Sequence, residues 1–310
     1  MQLSTTPEHK KISRFEKFNA WFNQEKILGP ALVAPAVLIL LLLIAYPFCI
    51  SIWLSMTDKM IARSDTGNFI GLANFAKLLK NSIFQRTSLN TFNYALVSVF
   101  FKLVLGMLMA LVLDEVKIFK NLFRGALLLP WIVPTSLSAL GWLWMFDSQY
   151  SVLNSLLLDW GLIQDKIIWL GTPKMAMLSV QMVNIWRGIP FFGISLLAGL
   201  QAIPQELYEA ADIDGASAWK KFWNVTFPLL MPVTVVVTVY SIVQTFADFQ
   251  IIYVLTRGGP VNSTHLFATL THQTAIIASR LGEGAAVSLF MFPILVIAIV
   301  FQLRYLQKQD

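Results

Sequence analysis

Thiols are almost missing from this chain. Cys49 is the single cysteine in 310 residues and lies inside an apolar run. Neither a disulfide framework nor a cysteine metal site can form within one chain, and Cys49 reads as a small buried hydrophobe. Histidine is limited to His9, His265 and His272, without the carboxylate spacing of an HExxH zinc site. No G-x-x-x-x-G-K-[ST] phosphate loop occurs. Gly171-Thr172-Pro173-Lys174 has neither the length nor the following hydroxyl, so ATP cannot be cradled by that route. Charge is scarce too, at 13% of residues against roughly 25% in ordinary soluble domains. Within the long apolar runs only Lys102, Arg187 and Asp248 are charged, which does not assemble a nucleophile with a base.

In place of these groups the chain has hydrophobes, 56% of residues, arranged in runs long enough to cross a bilayer. It reads as an all-α polytopic membrane protein with six spans. Span one is expected at 31–53, within an uncharged run that holds Pro35 and Pro47, and span two at 91–113, with Lys102 near its middle. Span three is expected at 125–146, with Pro130 and Pro134 and an aromatic end at Trp142, Trp144 and Phe146. Span four follows at 175–199, broken near Pro190; span five at 229–255; span six at 284–306. Residues 58–89 and 147–174 are external loops, the latter with a short helix at 152–160. Accordingly 1–30 is a basic cytoplasmic arm (Lys10, Lys11, Arg14, Lys17, Lys26), 31–88 the first span and its loop, 89–305 the core, and 306–310 a tail. The arm lacks a small-x-small cleavage site, so it is expected to be retained. The net charge of +6 is scattered beside spans without a basic face interleaved with aromatics, which argues for the bilayer surface and against nucleic acid. Lys and Arg are denser in the short loops on the N-terminal side, which places both termini inside.

One polar stretch interrupts the apolar runs, residues 203–232. Pro204 suits a first helical turn, Gln205, Glu206 and Glu209 suit a helix N-terminus, and Gly215 suits a left-handed cap. A helix is expected at 205–213 and a second at 216–223 with Ser217 as cap, before Pro228 and Pro232 impose a break. By periodicity alone this hairpin could equally be an idle amphipathic connector on the bilayer surface.

The residue pattern carries more. Glu209-Ala210-Ala211, Asp214-Gly215-Ala216 and Val225-Thr226-Phe227-Pro228 resemble, in type and spacing, the EAA signature of ATP-binding-cassette (ABC) importer permeases, with Phe227 where Leu is usual. Gly71-Leu72-Ala73-Asn74-Phe75, the run 197–204, and Thr256-Arg257-Gly258-Gly259-Pro260 followed by Asn262-Ser263-Thr264 are similar to elements of the carbohydrate-uptake branch, the maltose and glycerol-phosphate type. On its own Gly-Gly-Pro is a sharp turn.

The resemblance implies a type I ABC importer transmembrane domain in a bacterial or archaeal cytoplasmic (inner) membrane, working by alternating access. It also implies a transport subunit with no cofactor of its own. The implied partners are a second permease subunit, an ABC ATPase dimer carrying ATP and Mg, and an extracytoplasmic sugar-binding protein. Coupling would run through Glu209, Ala210, Ala211, Asp214, Gly215, Ala216 and Pro228, with Glu209 meeting basic residues of the ATPase cleft. A charge at mid-bilayer costs about 2.5–3.5 kcal/mol unless paired or wetted. Arg187 and Asp248 therefore either flank a wet sugar pathway and pair when it is empty, or Lys102 and Arg187 snorkel and Asp248 holds a static pair. Planar hydrogen-bonding groups and aromatic platforms suit sugars, which nominates Gln181, Asn184, Trp186, Arg187, Tyr240, Gln244 and Asp248. The alternative class, an ATP-independent secondary transporter or channel, ordinarily carries coupling carboxylates and repeated halves; here there is one intramembrane carboxylate and no evident repeat.

Overall fold

The structure is a computed structural model that describes residues 24–116 and 118–308. The basic arm expected at 1–30 lies outside the described residues apart from its last seven positions, as does the end of the 306–310 tail. The chain divides between Trp53 and Leu54 into two units. The first holds helix α1 (Glu25–Leu40), a π-turn (Leu41–Ala45) and most of α2 (Tyr46–Ser55). Cys49 there is exposed rather than buried: on a helix that crosses lipid, apolar side chains need no protein cover.

The second unit contains α3 (Ala73–Leu79), α4 (Ser82–Glu115), α5 (Lys120–Ile132), α6 (Thr135–Met145), α7 (Val152–Asp159), α8 (Pro173–Leu200), α9 (Gln205–Ile213) and α10 (Ala218–Lys221). After a π-turn at Phe222–Thr226 come α11 (Phe227–Phe246), α12 (Gln250–Leu255) and α13 (Phe267–His272). A π-turn at Gln273–Ile277 precedes α14 (Leu281–Leu289) and α15 (Met291–Leu306). Among the described residues five helical stretches are long and apolar enough to cross a membrane: Leu28–Ser55, Ser82–Glu115, Pro173–Leu200, Ala218–Leu255 and Leu281–Leu306. The pair Asn121–Ile132 and Thr135–Met145, bent by 89°, is apolar enough to make a sixth when the two helices are counted as one broken span.

Proline departs from expectation in both directions. Span three bends because Val133, preceding Pro134, is extended (ψ 134°), the conformation that a following proline ring favours. Helix α8 runs unbroken through Pro190, as membrane helices do where neighbours compensate for one lost N–H. Nor do Pro228 and Pro232 break the chain after the hairpin. The π-turn just before α11 widens the backbone where the Pro228 ring would crowd the preceding carbonyls, and the second hairpin helix, only Ala218–Lys221, runs through it into the span. Span five is instead interrupted at 247–249, between α11 and α12.

The core follows α4 and α8, which pack against each other most extensively. Near one end Val99, Met107, Ala110 and Leu113 meet Phe192, Leu196 and Leu200 of α8 and Leu230 and Val237 of α11. Further along, Tyr94, Val180, Val183, Ile251 and Ile252 form a second cluster. Lipid chains are as apolar as leucine, so close approach rather than water exclusion must hold such helices together. Small residues supply it: a Cβ on Gly106 would collide with Phe192, and one on Gly193 would sit 2.7 Å from Met109 Sδ. Gly106→Val is therefore expected to cost about 1–3 kcal/mol through overpacking. Thermal unfolding in detergent should show a lowered midpoint for it and none for Gly141→Val, whose added Cβ meets nothing within 4 Å.

Two of the sequence elements have a plain structural role. Asn74 donates from Nδ2 to Ser55 O (2.8 Å) and Thr57 O (2.9 Å), capping the carbonyl end of α2. In the Gly-Gly-Pro segment Gly258 adopts φ +88°, and the turn closes through Thr264 Oγ1 to Gly259 O (2.7 Å) and a Thr256–Thr264 hydroxyl contact (2.7 Å). The His265 ring lies against Gly258, and burial pushes its imidazole below the ordinary value, favouring the neutral form.

Candidate functional site

A cavity of about 550 Å³ opens among α4, α5, α6, α8, α11 and the 247–249 interruption. Asp248 sits in that interruption, where the chain leaves α11 and its carboxylate can accept from the start of the next helix. Its Oδ1 accepts from Ile251 N (3.3 Å), and its Oδ2 accepts from Tyr94 Oη (2.6 Å) and Asn184 Nδ2 (2.9 Å). Three elements thus converge on one carboxylate.

Lys102 and Arg187 line the same cavity. Lys102 does not snorkel. It is 5% exposed, its stem crosses Gly188 with Cδ and Cε 2.6 Å from where a Cβ would be, and its Nζ donates to Thr245 Oγ1 (3.0 Å). Nor does Arg187 form a salt bridge with Asp248, whose oxygens accept from three neutral donors; its buried Nε has no acceptor, and Asn184 Oδ1 has no donor. On the apolar side Trp131 stacks on Phe191 (centroids 5.9 Å apart, 19° between planes), and Phe191 meets Tyr240 at 5.0 Å. Gln244 Nε2 donates to Tyr240 Oη (2.8 Å). Planar amides, cations and a ring platform share one cavity.

Of the nominated pathway residues, Asn184, Arg187, Tyr240, Gln244 and Asp248 line this cavity. Gln181 does not: it is buried and donates to Asn93 Oδ1 (3.0 Å). Trp186 does not either, standing edge-on to Trp142 at 5.4 Å. Sequence reasoning missed Tyr94, Trp131 and Thr245. A lone Tyr or Trp in an apolar run carries no signal of its partner, and Tyr94 is 154 positions from Asp248.

The polar hairpin is a second candidate. Helix α9 has no buried residue, and Glu209, Ala210, Asp214 and Gly215 are exposed, while Ala211 and Ala216 are half-buried. It ends in a Schellman closure, with Gly215 N bonding Asp212 O (3.0 Å) and Ala216 N bonding Ala211 O (2.9 Å). Gly215 has φ +70° and open space where a Cβ would be, so its conformation rather than crowding within the chain demands glycine. Tyr208 Oη meets Thr226 Oγ1 (3.0 Å) and Lys221 Nζ meets Asp212 Oδ1 (2.8 Å), fixing α9 against the base of α11. Ile213 and Trp219 stand 88% and 71% exposed, and Pro228 is exposed on the first turn of α11.

The family model for the binding-protein-dependent transport system inner membrane component matches residues 102–309. The chain belongs to that family of ABC importer permeases. The permease is 33% identical over 304 residues to the sulfoquinovosyl glycerol transport system permease protein SmoG of Agrobacterium fabrum, covering 98% of this chain and 97% of that protein. It is 34% identical over 284 residues to the trehalose/maltose transport system permease protein MalF of Thermococcus litoralis, covering 92% and 94%. To the sn-glycerol-3-phosphate transport system permease protein UgpA of A. fabrum it is 31% identical over 285 residues, covering 92% and 96%. Its fold matches a chain of a bacterial ABC transporter involved in alginate import with a TM-score of 0.78, at 22% identity, over 94% of this permease and 99% of that chain.

Proposed function

We propose that this permease moves a carbohydrate, or a sugar-like polyol or its phosphate, across the cytoplasmic membrane, driven by ATP hydrolysis on separate subunits that dock at the hairpin. The observation that carries the reading is the hairpin itself: a rigidly closed helix, bonded to the base of a span, that leaves its Glu209 face bare. An isolated surface loop has no need of a Schellman cap, a tyrosine–threonine tie and an ion pair to hold Ile213 and Trp219 in water, where large apolar groups gain nothing. A groove on another protein accounts for them. Glu209, Ala210, Ala211, Asp214, Gly215, Ala216 and Pro228 form the coupling surface, and Gly215 also lets a partner come close to the backbone.

The cavity is the sugar pathway, with Asn184, Arg187, Tyr240, Gln244 and Asp248 in its wall. Its volume lies within the roughly 300–1,000 Å³ of small-molecule sites, and its ring platform and planar amides suit sugar faces and hydroxyls. The relatives named for sulfoquinovosyl glycerol, trehalose/maltose and sn-glycerol-3-phosphate support the substrate class. A second permease subunit, an ATPase dimer holding ATP and Mg, and an extracytoplasmic binding protein complete the machine, with both termini and the hairpin in the cytoplasm of a bacterium or archaeon and 89–305 as the permease core.

A photo-crosslinker at Ile213, in the full chain expressed with its genomic neighbours, is expected to capture a protein bearing a G-x-x-x-x-G-K-[ST] loop. Crosslinks only to lipid, or to an extracytoplasmic protein, would remove the hairpin from the cytoplasmic interface.

A further inference from the structure

The charges lining the cavity do not balance. Lys102, Arg187 and Asp248 are the charged residues of its lining, two cations against one carboxylate. Asp248 supplies one negative charge near both cations but forms a salt bridge with neither, its hydrogen bonds going to Tyr94, Asn184 and the Ile251 amide, so one positive charge stays unbalanced. Lys102 Nζ finds a single acceptor, the neutral Thr245 hydroxyl, and Arg187 Nε finds none. Cations held in membrane-spanning helices are costly unless their charge is balanced, and a neutral ligand, whose hydroxyls could accept from them, would leave the excess charge uncancelled.

We propose that the transported sugar carries an anionic group, a carboxylate, sulfonate or phosphate, that seats between Lys102 and Arg187. This rests on the reading of the cavity as the sugar pathway. An anion of that kind accepts from both cations at once and cancels the excess positive charge, through the charge-assisted hydrogen bonds that are the strongest a pocket can make. The lone acceptor Asn184 Oδ1 then takes a hydroxyl, and the Trp131–Phe191 platform takes the ring face. Gly188 has its part: any larger residue would displace the Lys102 stem from the wall.

The test is intrinsic tryptophan fluorescence on the full-length permease in nanodiscs of uncharged lipid, the part due to Trp131 among the ten tryptophans being assigned by its loss in Trp131→Phe. Glucuronate and glucose 6-phosphate are the anionic probes; glucose and methyl glucuronate, which keeps the shape without the charge, are the neutral ones. Anionic probes are expected to bind at least about tenfold more tightly than neutral ones, with a preference that weakens as salt rises. Lys102→Met and Arg187→Gln should each remove most of that preference, and Lys102→Arg should keep it, which separates lost charge from lost folding. Equal affinity for glucuronate and its methyl ester overturns the anionic-group inference and leaves the sugar pathway standing. No saturable response to any of the four probes overturns both.

Discussion

Glu209→Lys is expected to stop transport while leaving the permease folded and in the membrane. The side chain is exposed on a helix without a buried residue, so reversing its charge touches no packing, and stability should stay within about 0.5 kcal/mol of wild type. The effect is expected at the proposed ATPase interface instead. An acid that meets basic groups in a desolvated cleft typically costs about 2–5 kcal/mol when it is lost, and reversal adds repulsion. Substrate-stimulated ATP hydrolysis by the assembled importer should fall at least about thirtyfold, the equivalent of ~2 kcal/mol. Membrane abundance on immunoblots should not change. Unaltered stimulated hydrolysis would dissociate Glu209 from the coupling surface.

Asp248→Ala should have the opposite profile, damaging the fold first. The substitution strands the Tyr94 hydroxyl and one Asn184 N–H, and removes the negative charge nearest to Lys102 and Arg187. Breaking a buried charge constellation from one side costs about 3–5 kcal/mol, because what remains is an uncompensated charge. The thermal midpoint in detergent should fall far more than for Gln244→Ala, whose amide bonds only an exposed tyrosine hydroxyl. If the penalty is electrostatic, adding Lys102→Met to Asp248→Ala should recover part of it, a coupling that a double-mutant cycle reads directly. Strict additivity would mean that cavity water, not Asp248, compensates the lysine.

Local chemistry made the hairpin and most of the spans legible. Helix α9 spans 205–213 as read from Pro204 and Gly215, and α7, Val152–Asp159, fills the short helix expected at 152–160. Glycine and acid patterns act within a few residues, so a sequence displays them. The prolines misled because their cost depends on whether neighbouring helices and widened turns relieve it, which no local pattern records: Pro134 bends its span, whereas Pro190, Pro228 and Pro232 do not break theirs. The interruption at 247–249 has neither proline nor glycine to announce it. Five of the seven nominated residues line one cavity, and they could be named because polar groups in apolar runs are conspicuous. Trp186 and Gln181 were equally conspicuous, and only the direction in which α8 presents them separates them from Arg187 and Asn184.

The unbroken course of the chain from Ala218 through the π-turn to Phe246 has a mechanical consequence. Helix α9 is fastened at the base of this rod, while Tyr240 and Gln244 stand on its upper part in the cavity wall. If a partner displaces the hairpin, as proposed, the displacement would be carried along one continuous helical stretch to residues of the cavity wall, and the first interruption it would meet is 247–249, where Asp248 is held from three sides.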